Sequence, residues 1–199
     1  MNIVIIKYNA GNVQSVLFAL ERIGISAVVS DDPELIQKAD KVILPGVGEA
    51  RSAMKYLVGH GLDDTICRLR QPVLGICLGL QLLCRHSEEG DVNCLGLFDT
   101  DVKKFRSSVN GKDKVKVPHT GWNIVTGLKS ELFKGITENS YMYFVHSYYA
   151  DMYTNTISTT DYTLNFSSAL QKDNFYAVQF HPEKSGADGQ KLLENFIKL

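Results

Sequence analysis

The sequence predicts an α/β protein: a three-layer, open, mostly parallel twisted sheet with helices on both faces and an added antiparallel β region. Three observations carry this. Short β-rich runs alternate with helical patterns up to Gly90. The texture then turns β-rich and aromatic, with Gly, Asn and Asp at the turns. The closing segment returns to helical spacing.

The elements follow in order. "NIVIIK" is a first strand, succeeded by the turn-like "YNAGN". Val13, Val16, Leu17, Leu20 and Ile23 recur at helical spacing until Gly24 stops them. "SAVVS" is a second strand. "DDPELIQKA" carries an acidic cap and a Pro at a helix start. "KVILPGVG" is a third strand running into a glycine-rich loop. "EARSAMKYLVGHG" and "DDTICRLR" predict helices, "PVLGIC" a fourth strand, and "LGLQLLCRH" the helix after it. Beyond Gly90, "CLGLFDTDVKKFR", "KVKVPHTGWNIV", "SYMYFVHSYYA", "TISTTDYTLNFSSAL" and "NFYAVQFHPE" are expected to form antiparallel strands. "GQKLLENFIKL" predicts a final helix that buries Leu192, Leu193, Phe196 and Ile197. No repeat or low-complexity linker divides the chain, so residues 1–199 are expected to form one domain.

Composition narrows the function. With 199 residues, 44% hydrophobic and 22% charged, the chain suits a soluble globular fold. A net charge of −1 offers no electrostatic footprint for nucleic acid or an anionic membrane. No apolar run is long enough to cross a bilayer, and the start has no basic segment ahead of its apolar run. A cytoplasmic protein is expected. Cys67, Cys77, Cys84 and Cys94 form no CxxC pair and have no His-x-x-x-His nearby. Neither a zinc site nor a disulfide framework is expected, and no other cofactor.

The chemistry concentrates in "VLGICLGLQLLCRHS". Cys77 stands where the fourth strand meets its helix, flanked by Gly75 and Gly79. A Gly-x-nucleophile-x-Gly turn is a sharp strand-to-helix elbow, and residues two before and two after the nucleophile must be small. The helix N-terminus favours a thiolate there. A buried Cys among packing glycines would show the same letters. A thiolate needs a base. His60 and His86 fall at apparent helix ends, where capping accounts for them, and His119 and His146 lie in the β-rich half. His181 ends an apolar run and precedes Pro182 and Glu183, so His181 and Glu183 can project from one rigid turn as an oriented imidazole–carboxylate pair. An ordinary strand-end His beside a solvated Glu is the alternative. "LPGVG" follows the third strand, at the same sheet edge as Cys77. Its Gly46 and Gly48 allow peptide N–H groups to face the site and, with the N–H of Leu78, to form an oxyanion hole. A phosphate-binding loop or a plain turn is the alternative, although no dinucleotide or P-loop pattern is present.

"GICLGLQLL", "QFHPEKSG" and "LPGVG" together resemble the class I, or triad, glutamine amidotransferases. "PHTGWN" and "YFVHSYY" are most similar, within that family, to the glutaminase subunits of imidazole glycerol phosphate synthases. The resemblance extends over essentially the whole chain. It implies a flavodoxin-like sheet and a Cys77–His181–Glu183 triad that hydrolyses L-glutamine through a thioester. It places Val47, Gly48 and Leu78 at the oxyanion hole, with Val47 supplying its N–H after a peptide flip. Gln81, Glu89, Ser147 and Tyr148 would touch the substrate. Asn12, His119, Trp122, Asn123 and Lys184 would face a partner, a β/α-barrel cyclase subunit bound as a heterodimer. That partner would use the ammonia to make imidazole glycerol phosphate and AICAR in histidine biosynthesis. Trp122, the only Trp, also suits a core position. The sequence departs from the subunit's usual pattern at Leu80 and Thr120, where Met is usual, and at Asn9, where Gly is common. None of these removes a catalytic group. Two other readings are an unrelated cysteine hydrolase or a glutaminase of another pathway, such as the pyridoxal phosphate one, and a non-catalytic binding subunit that keeps the fold. "PHTGWN" and "YFVHSYY" speak against the first, and the intact Cys77, His181 and Glu183 against the second.

Overall fold

The structure is a computed structural model that describes residues 1–8, 11–107 and 115–199; Asn9 lies outside them. The chain runs through β1 (Ile3–Ile6), α1 (Val13–Arg22), β2 (Ala27–Ser30), α2 (Pro33–Gln37), β3 (Lys41–Leu44), α3 (Ala50–Gly59), α4 (Leu62–Cys67), β4 (Val73–Ile76) and α5 (Leu78–Leu83). It continues through β5 (Cys84–Ser87), β6 (Val92–Asn93), β7 (Phe98–Lys104), β8 (His119–Ile124), β9 (Tyr141–His146) and β10 (Tyr148–Ala150). It closes with β11 (Thr156–Asp161), β12 (Asn165–Lys172), β13 (Phe175–Val178) and α6 (Gly186–Lys198).

Local chemistry accounts for the boundaries. Gly24 takes φ +75° and ends α1, with its N–H on the Glu21 carbonyl. Asp32 caps α2 by accepting from the Glu34 N–H at 2.9 Å, and Pro33 fills the first helical position. Glu49 caps α3 through the Ser52 N–H at 2.7 Å.

Among the described residues, eleven strands form one mixed sheet in the order β2-β1-β3-β4-β13-β12-β10-β7-β5-β6, with β11 on β12. β2 to β13 run parallel, as expected for the first half. Beyond β13 the same sheet continues mostly antiparallel, through β12, β10 and β7, with β5 parallel to β7. β8 and β9 pair separately, His119 opposite His146. The buried side chains divide by sheet face. Val4, Ile6, Val42 and Val73 pack with α2, α3 and α4. Ile3, Ile5, Leu74 and Ile76 pack with α1 and α6, whose Leu192, Leu193 and Phe196 are fully buried. Strand alternation puts successive residues on opposite faces, which gives the three layers.

One element departs from expectation. The helix after Cys77 stops at Leu83, and Cys84–Ser87 is strand β5, parallel to β7. His86 consequently lies on a strand, 3.0 Å from Asp91, and caps no helix. His60 does end α3, with Nδ1 2.8 Å from the Tyr56 carbonyl. No helix among the described residues is long and apolar enough to cross a membrane.

Candidate active site

The strand order assembles the site. β13 inserts beside β4 in parallel register, Val178 opposite Ile76. The residues after each strand, Cys77 and Gln179–Glu183, therefore emerge at one carboxyl edge, next to the Pro45–Gly48 loop after β3. Cys77 holds φ 53° and ψ −105°, a backbone conformation rare outside Gly. A Cβ at Gly79 would land on the Leu44 carbonyl oxygen, and one at Gly75 would lie 2.9 Å from the Gly79 carbonyl carbon. Both glycines are thus required by close backbone approach, and the elbow is genuine.

His181 is fully buried, and its Nδ1 lies 2.7 Å from Glu183 Oε1. Asn12 donates its amide N–H to the same Oε1. His181 Nε2 has no hydrogen-bond partner among the described residues and is the ring's free end toward Cys77. Burial works to lower the His181 pKa, but Cys77 and Glu183 outweigh it and raise it to about 10. A thiol beside such a ring can pass it a proton and leave a thiolate–imidazolium pair.

A cavity of about 80 Å³ opens against Cys77. Val47, Gly48, Leu78, Gln81 and Glu89 line it. Ser147 and Tyr148, with Val145 and His146, line it as well. The structure thus brings every expected oxyanion and substrate residue to one cavity. Glu89 accepts the Ala50 N–H at the start of α3 at 3.0 Å, and burial raises its pKa. The Leu78 N–H donates to the Gly46 carbonyl at 3.2 Å, so in this conformation it is not free for an oxyanion. Among the described residues no group of His, Cys, Asp and Glu side chains is placed to hold a metal ion.

A family model for class I glutamine amidotransferases matches residues 4–199. The chain belongs to the class I glutamine amidotransferase family. Its relatives include the imidazole glycerol phosphate synthase subunit HisH of Bacteroides fragilis, 57% identical over 199 residues and 100% of both chains. The HisH subunit of Bacteroides thetaiotaomicron is 56% identical, also over 100% of both. A solved structure of a glutamine amidotransferase superposes with a TM-score of 0.72 at 17% identity, covering 98% of this chain and 97% of that one, a likeness of fold.

Within this amidotransferase the residues expected at a partner surface separate into two sets. Trp122 is 55% exposed on β8, which excludes the core alternative. It stands edge-on to Tyr143 at 6.0 Å, and the exposed Lys184 lies 6.0 Å from the same ring. His119, by contrast, is 3% exposed and does not face outward. β8 and β9 place it inside, its Nδ1 3.0 Å from His146 Nε2. Asn12 and Asn123 are half-buried and turn their amides inward, Asn12 to Glu183 and Asn123 to His119 Nε2 and the Asp161 carbonyl. Burial lowers the His119 pKa to about 4 and that of His146 to about 3.

Two residues of this edge escaped the sequence reading. Tyr8, buried under the Pro45–Gly48 loop, donates its hydroxyl to the Pro45 carbonyl, and burial raises its pKa. Gln179, fully buried, places Nε2 3.5 Å from the Cys77 sulfur. The letters "YNAGN" and "QFHPE" contain both, but only the strand order shows what they touch.

Proposed function

We propose that this chain is the glutaminase subunit of an imidazole glycerol phosphate synthase, acting as one amidotransferase domain over residues 1–199. The reaction rests on one observation above all: Cys77, at a strained elbow, shares a buried site with a carboxylate-oriented imidazole. The assignment to this synthase rests on the 57% identity to HisH over the full chain.

In this reading Cys77 gives its proton to His181 Nε2, and the thiolate attacks the side-chain amide carbon of L-glutamine. Glu183 orients the ring through Nδ1 and offsets its positive charge. The oxyanion is held by the N–H groups of Leu78 and, after the loop turns, Val47 or Gly48. That turn must first release Leu78 from the Gly46 carbonyl. His181 returns the proton to the departing ammonia, then deprotonates a water that cleaves the thioester to glutamate. Gln81, Glu89, Ser147 and Tyr148 hold the amino-acid end. Trp122 and Lys184 meet the cyclase subunit, which receives ammonia before water protonates it and completes imidazole glycerol phosphate synthesis. Four free cysteines agree with a cytoplasmic setting.

Glutamine hydrolysis by the chain alone, and mixed with a liganded cyclase subunit, tests this. Strong activation by the liganded cyclase is the expected result. Hydrolysis indifferent to the cyclase, with no complex at micromolar concentration, would remove the synthase assignment.

A further inference from the structure

The polar groups behind the Cys77 sulfur form a chain whose direction can be worked out atom by atom. It ends on the Tyr148 backbone carbonyl, which can only accept. Gln81 Nε2 lies 3.1 Å from that oxygen, so Gln81 presents its NH₂ there. The same NH₂ lies 3.1 Å from Gln179 Oε1. Two NH₂ groups cannot face each other across a hydrogen bond, so Gln179 turns its oxygen to Gln81. Its own NH₂ is thereby aimed at the Cys77 sulfur, 3.5 Å away. The Tyr148 carbonyl is held from its other side by His146 Nδ1 at 2.6 Å. The Asn123 amide donates to His119 Nε2, which leaves the His119 proton on Nδ1, pointing at His146 Nε2. Two donor series therefore meet at the Tyr148 carbonyl, one from Asn123 through His119 and His146 and one from Gln81, and Gln81 also donates onward through Gln179 to the sulfur.

We propose that Gln179 is a further catalytic residue, whose amide N–H stabilises the Cys77 thiolate, and that Gln81 is the positioning residue that fixes the direction of that amide. This deepens the reading of Cys77 as nucleophile and rests on it. When the Cys77 proton passes to His181 Nε2, the sulfur gains a full negative charge inside a water-poor site. A donor already aimed at it favours that charged form without reorganisation. The pair Gln179 and His181 thus serves the sulfur from one segment, one as hydrogen-bond donor and the other as proton acceptor. Gln81 Oε1 has no partner among the described residues, and its side chain lines the cavity. The same amide that sets Gln179 therefore keeps an acceptor for a ligand, which couples occupation of the cavity to the sulfur's donor.

Iodoacetamide alkylation of the full-length chain, followed across pH and mapped by mass spectrometry, reads the thiolate without glutamine or a partner. Two variants remove the donor in different ways. Gln179→Glu keeps the size and the acceptor for Gln81; Gln179→Met keeps the size and adds no charge. Both should alkylate at Cys77 roughly tenfold more slowly at neutral pH, the worth of one hydrogen bond to a charged group. Both profiles should move to higher pH, while unchanged circular dichroism shows the fold retained. Gln81→Met should shift the profile in the same direction by less. Variant profiles that coincide with the parent's would overturn the role of Gln179 and leave the nucleophile standing. Alkylation only at Cys67, Cys84 or Cys94 in the parent would instead remove Cys77 as nucleophile, and this proposal with it.

Discussion

Cys77 holds a left-handed φ that costs a non-glycine residue on the order of 1–3 kcal/mol. The cost is met by the packing of Gly75 and Gly79 against the surrounding backbone, and it aims the sulfur out of the sheet edge. Cys77→Ala should therefore abolish glutamine hydrolysis while unfolding close to the parent's temperature, since the side chain removed is small. His181 and Glu183 should separate in their effects. His181→Ala removes the proton carrier and should lower kcat by about 10²-fold or more. Glu183→Gln leaves the ring in place with weaker orientation, so its loss should be smaller. Equal, negligible losses in a steady-state assay would mean that the His181–Pro182–Glu183 turn only holds the chain.

α5 and the β8–β9 pair each carry a consequence of their packing. Gly79→Ala would gain up to about 1 kcal/mol of helix propensity in α5. Its Cβ, however, would fall on the Leu44 carbonyl oxygen of β3, a backbone atom that cannot rotate away. Overpacking of this kind costs about 1–3 kcal/mol, so the clash wins, and urea unfolding should show a lower midpoint. In the β8–β9 pair, His119 and His146 are neutral in the fold, with pKa values lowered below the unfolded value of about 6.5. Below that pH the unfolded chain binds more protons. The stabilising contribution is complete above about pH 6.5 and is lost as pH falls toward 4 and 3, with a slope up to about 1.4 kcal/mol per pH unit for each His. Urea midpoints at pH 7 and 4.5 should differ more for the parent than for His119→Gln/His146→Gln. The local signals were legible in the letters: helical spacing in α1 and α6, the Asp32 cap, the glycines of the elbow. β5 was not, because Cys84 and Ser87 continue the buried pattern of α5 and nothing local marks where a helix gives way to a strand. His119 was misplaced for a related reason. A strand alternates inside and outside, and only its partner strand decides which is which.

The assembled chain places its chemistry at one edge and its exposed Trp122 and Lys184 beside it. If ammonia leaves through that side, the cyclase with Cys77→Ala protein should still turn over on ammonium salt at alkaline pH, where free ammonia is abundant, and should fail on glutamine. Activity on glutamine in that mixture would show that another thiol does the work. The fold class could be read from sequence, and the family resemblance supplied most residues of the cavity but not Val145 and His146; the insertion of β13 between β4 and β12 could not be read, because strand order depends on pairings far apart in the chain. That insertion also sets a timetable. Gln179 and Cys77 are 102 positions apart, so Cys77 leaves the ribosome long before the amide that donates to its sulfur and the imidazole that follows it. Until β13 arrives, β4 and β12 lack the strand that joins them, and the sheet remains in two incomplete parts. A nascent chain therefore carries the Cys77 sulfur without Gln179, His181 and Glu183 beside it, and in the proposed reading the site is complete only once synthesis has passed residue 183.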